Sequence, residues 1–178
     1  MKTAFFQSFE DSSDREETPF RLSMVQTELK KNNLSGYLVP RSDVHQGEYV
    51  AACDERLSWL TGFTGSAGIC IVGNDRAGIF VDGRYSIQAK KQTKSPFEVA
   101  QWSKKNFLRW IKKNIVKGEI GFDPWLHSHK EIVALSEAFA ETDICFVPSD
   151  NLIDKVWLTR PLKVSNQAMS YPVKLAGL

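Results

Sequence analysis

The chain has 178 residues, 42% of them hydrophobic and 25% charged, and a formal net charge of +2 from 23 Lys and Arg against 21 Asp and Glu. That length suits about one globular domain, and the composition excludes a disordered, collagenous or disulfide-scaffold protein. The charges are too evenly balanced for a whole-domain nucleic-acid footprint, so any basic surface is local and no nucleic-acid partner is expected.

The start MKTAFFQSF is too short an apolar stretch for a secretory leader. Residues 1–17 end in EDSSDREE, five acids around one arginine, which predicts a flexible tail. With Thr18 as N-cap and Pro19 at the first helical position, Phe20, Met24 or Val25, and Leu29 recur at helical spacing up to Asn32 and Asn33. GYLVP then reads as a short buried strand, followed by the aperiodic polar stretch RSDVHQGEY. AGICIVG and AGIFVDG, separated by Asn74-Asp75-Arg76, predict two central strands joined by a hairpin.

Asp82 stands where a strand stops and RYSIQAKKQT begins, so its carboxylate can cap that helix. Beyond it FEVAQW reads as a strand, NFLRWIKKNI as a helix and EIGFD as a strand. SHKEIVALSEAFAE is a helix with Ser128 and Glu131 in capping-box spacing, and ICFVP is a strand. SDNLIDKVWLTRP makes a short amphipathic helix, and Pro161 marks a boundary. The alternation argues for an α/β layered domain with a mixed sheet, antiparallel at the hairpin and parallel across the helical crossovers. No apolar run is long enough to cross a bilayer, so no membrane partner is expected. Cys53, Cys70 and Cys145 are widely spaced and form no C-x-x-C pair, which fits a reducing cytoplasm.

Four constellations could carry chemistry. GFTGSAG places Gly62, Gly65 and Gly68 just before a strand, the reverse of a phosphate loop, and without its lysine; a tight bend with close backbone packing is the expected use. His127 and His129, with His45, make a three-histidine metal site possible on paper, unsupported by neighbouring thiolates or carboxylates. Asp43, Glu48, Asp54, Asp82 and Asp123 lie near strand ends, where a two-metal nuclease of ribonuclease H-like architecture gathers its acids, although capping and ion pairing explain them as well. KKNFLRWIKKNIVK carries Lys104, Lys105, Arg109, Lys112, Lys113 and Lys117 with no acid, for which a solvated helix face is the commoner explanation. Trp102, Trp110, Trp125 and Trp157 read as core or interface anchors.

Three blocks, YLVPRSDVHQGEYVAACDERLSWLTGFTGSAGICIV, VDGRYSIQA and NLIDKVWLTRP, closely resemble the N-terminal domain of Xaa-Pro aminopeptidases, also called aminopeptidase P, of the creatinase and prolidase superfamily. The resemblance covers about residues 20 to 161 and is to the long, three-domain form. It implies a three-layer α/β fold, a mixed sheet with helices on both faces, ribonuclease H-like in architecture, over residues 18–160. Residues 161–178 would then be a linker and the start of a second domain. It also implies that catalysis belongs to a separate C-terminal pita-bread domain, whose two aspartates, histidine and two glutamates hold two divalent metals, usually manganese. This chain alone would then carry no catalytic residue, cofactor or metal and no peptidase activity. The parent would be a cytoplasmic enzyme, a homodimer, acting on peptides with proline in second position.

The resemblance further implies that an N-terminal domain of this kind helps shape the mouth of the active site and restricts access to short peptides. His45, Gln46, Glu48 and Tyr49, with Asp54, Arg56, Asp82, Arg84 and Tyr85, are the surface expected to do so here, by orienting a peptide or docking a neighbouring domain. An internal network of Asp54, Arg56, Asp82 and Arg84 bracing the GFTGSAG bend is an equal alternative. The other readings are a ribonuclease H-like nuclease and a free-standing binding module.

Overall fold

Short apolar runs alternating with amphipathic segments assemble into one six-stranded sheet with helices on both faces. The computed structural model describes residues 13–163, 167 and 169–175. The strands are β1 (Gly36–Pro40), β2 (Gly68–Gly73), β3 (Ala77–Val81), β4 (Phe97–Gln101), β5 (Gly118–Phe122) and β6 (Ile144–Pro148), in the order β4-β3-β2-β1-β5-β6. β2 runs antiparallel to both β1 and β3, and the turn at Asn74–Arg76 is too short for anything but a hairpin between β2 and β3. β3–β4, β1–β5 and β5–β6 are parallel.

The helices are α1 (Thr18–Lys31), α2 (Arg56–Thr61), α3 (Ser86–Gln92), α4 (Lys104–Asn114), α5 (His129–Ala138) and α6 (Leu152–Val156). Because α3, α4 and α5 each link strands that point the same way, the mixed sheet read from the alternation is the one that forms.

The period of two along each strand divides the core. On one side Tyr37, Val39, Cys70, Val72, Ile79 and Val81 meet α1, α2, α3 and α6. On the other Leu38, Ile71, Phe80 and Ile120 meet α4 and α5 through Phe107, Trp110, Ile111 and Phe139. Each fully buried Leu, Ile, Val or Phe contributes roughly 1.5–3 kcal/mol by leaving water.

Local signals set the helix starts. Ser103 Oγ accepts from Asn106 N at 3.1 Å, and Ser128 with Glu131 forms the predicted capping box. α1 departs from expectation: Thr18 is already helical and buried, and its hydroxyl donates to the Arg15 carbonyl at 2.8 Å instead of capping. α2 was not foreseen, since six residues give the helical period too little length to register. Of the expected tail, residues 1–12 lie outside the described residues. The rest runs along α3, with Arg15 Nη1 donating to the Lys91 carbonyl at 2.5 Å and Glu16 paired to Lys94. Of the expected linker, residues 164–166, 168 and 176–178 lie outside the described residues, and Val173–Leu175 form one exposed 3₁₀ turn.

Candidate functional site at the carboxyl edge of the sheet

All parallel strands end on one edge, where open α/β sheets place their ligand crevices. A crevice of about 420 Å³ lies there. Its floor is the end of β1 (Pro40, Arg41), the start of β2 (Gly68, Ile69) and the end of β3 (Phe80, Asp82). Trp102, just after β4, forms one wall, and His127 with Glu131, at the start of α5, forms the other.

The GFTGSAG segment shapes the rim. Gly62 ends α2 in the left-handed conformation (φ 78°), and a Cβ there would lie 2.6 Å from the Gln92 carbonyl. A Cβ on Gly65 would lie 2.2 Å from the Phe63 ring, so the bend is close-packed as expected. What braces it was missed from sequence. Buried Gln92 accepts from Thr64 N at 3.0 Å and donates to Thr64 Oγ1 at 2.8 Å, while Ser66 and Tyr85 share a hydrogen bond of 2.6 Å between their hydroxyls.

The nine predicted residues fall into three groups. His45, Gln46, Glu48 and Tyr49 lie on the exposed loop after β1. That loop is ordered by Asp43, whose Oδ1 accepts from His45 N and Gly47 N at 2.9 and 3.0 Å; the Gly47 N–H and then that of His45 hold its carboxyl below the usual range. Arg41 ties the loop to the bend, donating to the carbonyls of Glu48 and Ser66 and to Glu55 Oε1 at 3.0 Å. Burial nevertheless pushes the Glu55 carboxyl up, against the pull of Arg41. Of the loop residues, Gln46 lines the crevice itself.

Asp82, Arg84 and Tyr85 form the second group, in the 3₁₀ turn (Gly83–Tyr85) between β3 and α3. Asp82 Oδ1 accepts from Arg84 N at 3.0 Å and Nε at 2.9 Å, and this pairing lowers the Asp82 pKa. Asp82 thus caps the short turn rather than α3 directly.

Asp54 and Arg56 belong to the third group, a closed ring of ion pairs. Arg56, buried, donates from Nε and Nη2 to the two Asp154 oxygens at 2.7 and 3.0 Å and from Nη1 to Asp54 Oδ1 at 2.9 Å. Arg160 closes it, with Nη2 at 2.9 Å from Asp54 Oδ1 and Nη1 at 2.6 Å from Asp154 Oδ2. Its Nε also donates to the Cys53 carbonyl at 2.5 Å. Burial works against the charge on Arg56, but Asp154 and Asp54 overcome it and hold the pKa above its ordinary value. The network expected among Asp54, Arg56, Asp82 and Arg84 is therefore corrected: Asp54–Arg56 and Asp82–Arg84 are separate, and the ring's other members are Asp154 and Arg160.

The strand-end acids do not converge. Asp43 is held by its own loop, Asp54 lies in the ring and Asp82 in its turn, while Asp123 accepts from Trp125 N and Asn151 Nδ2. Among the described residues no three His, Cys, Asp or Glu side chains group in a way that could hold a metal ion, so neither the nuclease geometry nor the three-histidine site forms. His127 instead lies half-buried with its ring edge-on to Phe122, centroids 5.8 Å apart. Burial lowers its pKa against the opposing pull of Glu131 and Asp123.

An open mixed sheet of six strands with helices on both faces, and a crevice at its carboxyl edge, defines a layered α/β domain. More specifically, the chain belongs to the family described as Creatinase/Prolidase N-terminal domain, which matches residues 21–156. It is 34% identical over 166 residues to a probable Xaa-Pro aminopeptidase P of Talaromyces stipitatus, covering 90% of this chain and 25% of that protein. It is 36% identical over 143 residues to Xaa-Pro aminopeptidase 2 of Sus scrofa, covering 79% and 21%. The chain thus spans about a quarter of the length of the curated relatives it matches.

An X-prolyl aminopeptidase structure from Caenorhabditis elegans, described as a cytosolic enzyme with a di-nuclear active site, superposes with a TM-score of 0.73 at 26% identity. The superposition covers 82% of this chain and 26% of that one. The N-terminal domain of a cytoplasmic peptidase from Mycobacterium tuberculosis, at 22% identity and a TM-score of 0.61, shares the fold over 77% of this chain and 98% of that one.

Proposed function

We propose that the chain works as the non-catalytic N-terminal domain of a metal-dependent Xaa-Pro aminopeptidase that removes the residue preceding proline at a peptide's N-terminus. Its relatives' names and the quarter-length match support this reading. The two divalent metals, manganese by the family resemblance, belong to a separate catalytic domain, and the di-nuclear site named for the Caenorhabditis elegans enzyme supports that assignment. The same description, together with three free cysteines, supports a cytoplasmic enzyme.

One observation carries the role of this domain. Tyr49, Ile87, Trp102 and Trp125 are respectively 91%, 72%, 47% and 72% exposed, each follows the carboxyl end of a different strand, and Trp102 lines the crevice itself. Large apolar side chains left in water along one edge, next to orienting polar groups, are what a surface met by another domain or by the second subunit of a homodimer requires. This edge narrows the approach to the active site and selects short peptides. His45, Gln46, Glu48 and Tyr49 form its polar lip, and the Asp82, Arg84 and Tyr85 turn its opposite side.

In the complete enzyme, His45→Ala, Glu48→Ala and Trp102→Ala should change KM or the preference between short and long Xaa-Pro peptides, with a smaller effect on kcat for the shortest substrate. Unchanged kinetics in all three across several peptide lengths would contradict the gating role.

A further inference from the structure

The outer face of α4 has a chemistry that the proposed role leaves unused. Lys104, Lys105, Arg109, Lys112 and Lys113 are all exposed, and exposed Lys117 continues the row past the helix end, while Phe107, Trp110 and Ile111 occupy the opposite, core-facing side. Among the described residues none of these six cations makes an ion pair, although carboxylates elsewhere pair freely with Arg and Lys. Glu98 of β4, which reaches the helix through its bond to Trp110 Nε1, is taken by that indole and by Arg76.

This arrangement works against the helix itself. Lys104 and Lys105 stand in the first turn, where the macrodipole favours acids, and no acid is present there. Arg109 has like-charged neighbours at i−4, i+3 and i+4 in Lys105, Lys112 and Lys113, each a repulsive spacing. A face whose only task is solvation gains from mixed charge, whereas a single-signed stripe gains from an anionic ligand.

The shape of the stripe selects the ligand. Its helical part, Lys104–Asn114, is about 16 Å long at 1.5 Å per residue and one helix wide, with Lys117 beyond it. Lys112 lies over the Phe139 ring at the end of α5, so its flank is the α5 terminus with exposed Glu137 and Glu141. The stripe carries no aromatic side chain on which single-stranded bases could stack. Five lysines and one arginine suit dispersed carboxylates better than bidentate phosphate forks.

We propose that the outer face of α4 docks a carboxylate-rich polypeptide segment, laid along the helix from Lys104 to Lys117. The probe is a fluorescein-labelled dodecamer of glutamate, titrated with this chain in 150 mM salt and followed by anisotropy. Saturable binding is expected, weakening severalfold when the salt is doubled. Lys105→Glu with Arg109→Glu should weaken it at least tenfold, whereas Lys30→Glu with Lys31→Glu on α1 should change it less than twofold. The α4 variant should keep or raise the urea midpoint, because it removes the opposing first-turn charge, so lost binding cannot be ascribed to unfolding. Absence of saturable binding, or equal loss in the α1 control, overturns the proposal. Tighter binding of a thymidine dodecamer or of vesicles containing phosphatidylserine overturns the choice of partner.

Discussion

The ring around Arg56 and the turn holding Asp82 and Arg84 draw on the same residue types at the same edge of the sheet, yet they are built for different ends. In the ring, Arg56 to Asp154 and Arg160 to Asp54 pair across 98 and 106 residues of sequence, and Arg56 is buried. In the turn, one pair two residues apart closes on itself, with the Arg84 side chain 72% exposed. Reach and burial, not residue type, decide which charges are structural: the ring fixes the chain leaving α6 against the start of α2, and the turn leaves Asp82 on the crevice and Arg84 in solvent.

The largest expected effect breaks the ring. Arg56→Ala strands Asp54 and Asp154 with Arg160 as their remaining cation partner and should cost about 3–5 kcal/mol in urea unfolding. A loss below about 1 kcal/mol would mean that the ring is as solvent-screened as the turn, and the contrast would fail.

A smaller effect comes from His127, between the two regions in exposure. Burial depresses its folded pKa below the ordinary value of about 6.5, so the unfolded chain binds the proton more tightly. Its contribution to stability is complete above about pH 6.5 and is lost as the pH falls through the window down to the folded pKa. His127→Asn should flatten that part of the pH–stability curve. Glu55, whose pKa is raised by burial, acts with the opposite sign.

The smallest effect belongs to the turn: Arg84→Ala should leave the urea midpoint unchanged, since an exposed local pair adds little to stability. A clear loss would place the turn with the ring as a structural element.

What the sequence made legible follows the same division between near and far. The hairpin, the Ser128–Glu131 capping box and the alternation of helices and strands rest on residues a few positions apart, and they form as read. The Asp54–Arg56 contact and the cap by Asp82 were within reach for the same reason. Asp154 and Arg160 were not, because nothing local ties the NLIDKVWLTRP helix to Cys53–Arg56. Gln92 was hidden as one polar residue at the end of a short helix, although its side chain holds the bend. His127, weighed as a metal ligand, is a crevice wall, a role that only the convergence of β1, β3, β4 and β5 at one edge creates.

The central claim is that the chemistry lies outside this chain while its carboxyl edge governs access to it. The most direct test is hydrolysis of a short Xaa-Pro peptide with added manganese, by this chain and by the complete enzyme side by side. The account predicts turnover by the complete enzyme alone. Turnover by the 178-residue chain itself would contradict it and return the acids at Asp43, Asp82 and Asp123 to catalytic candidacy.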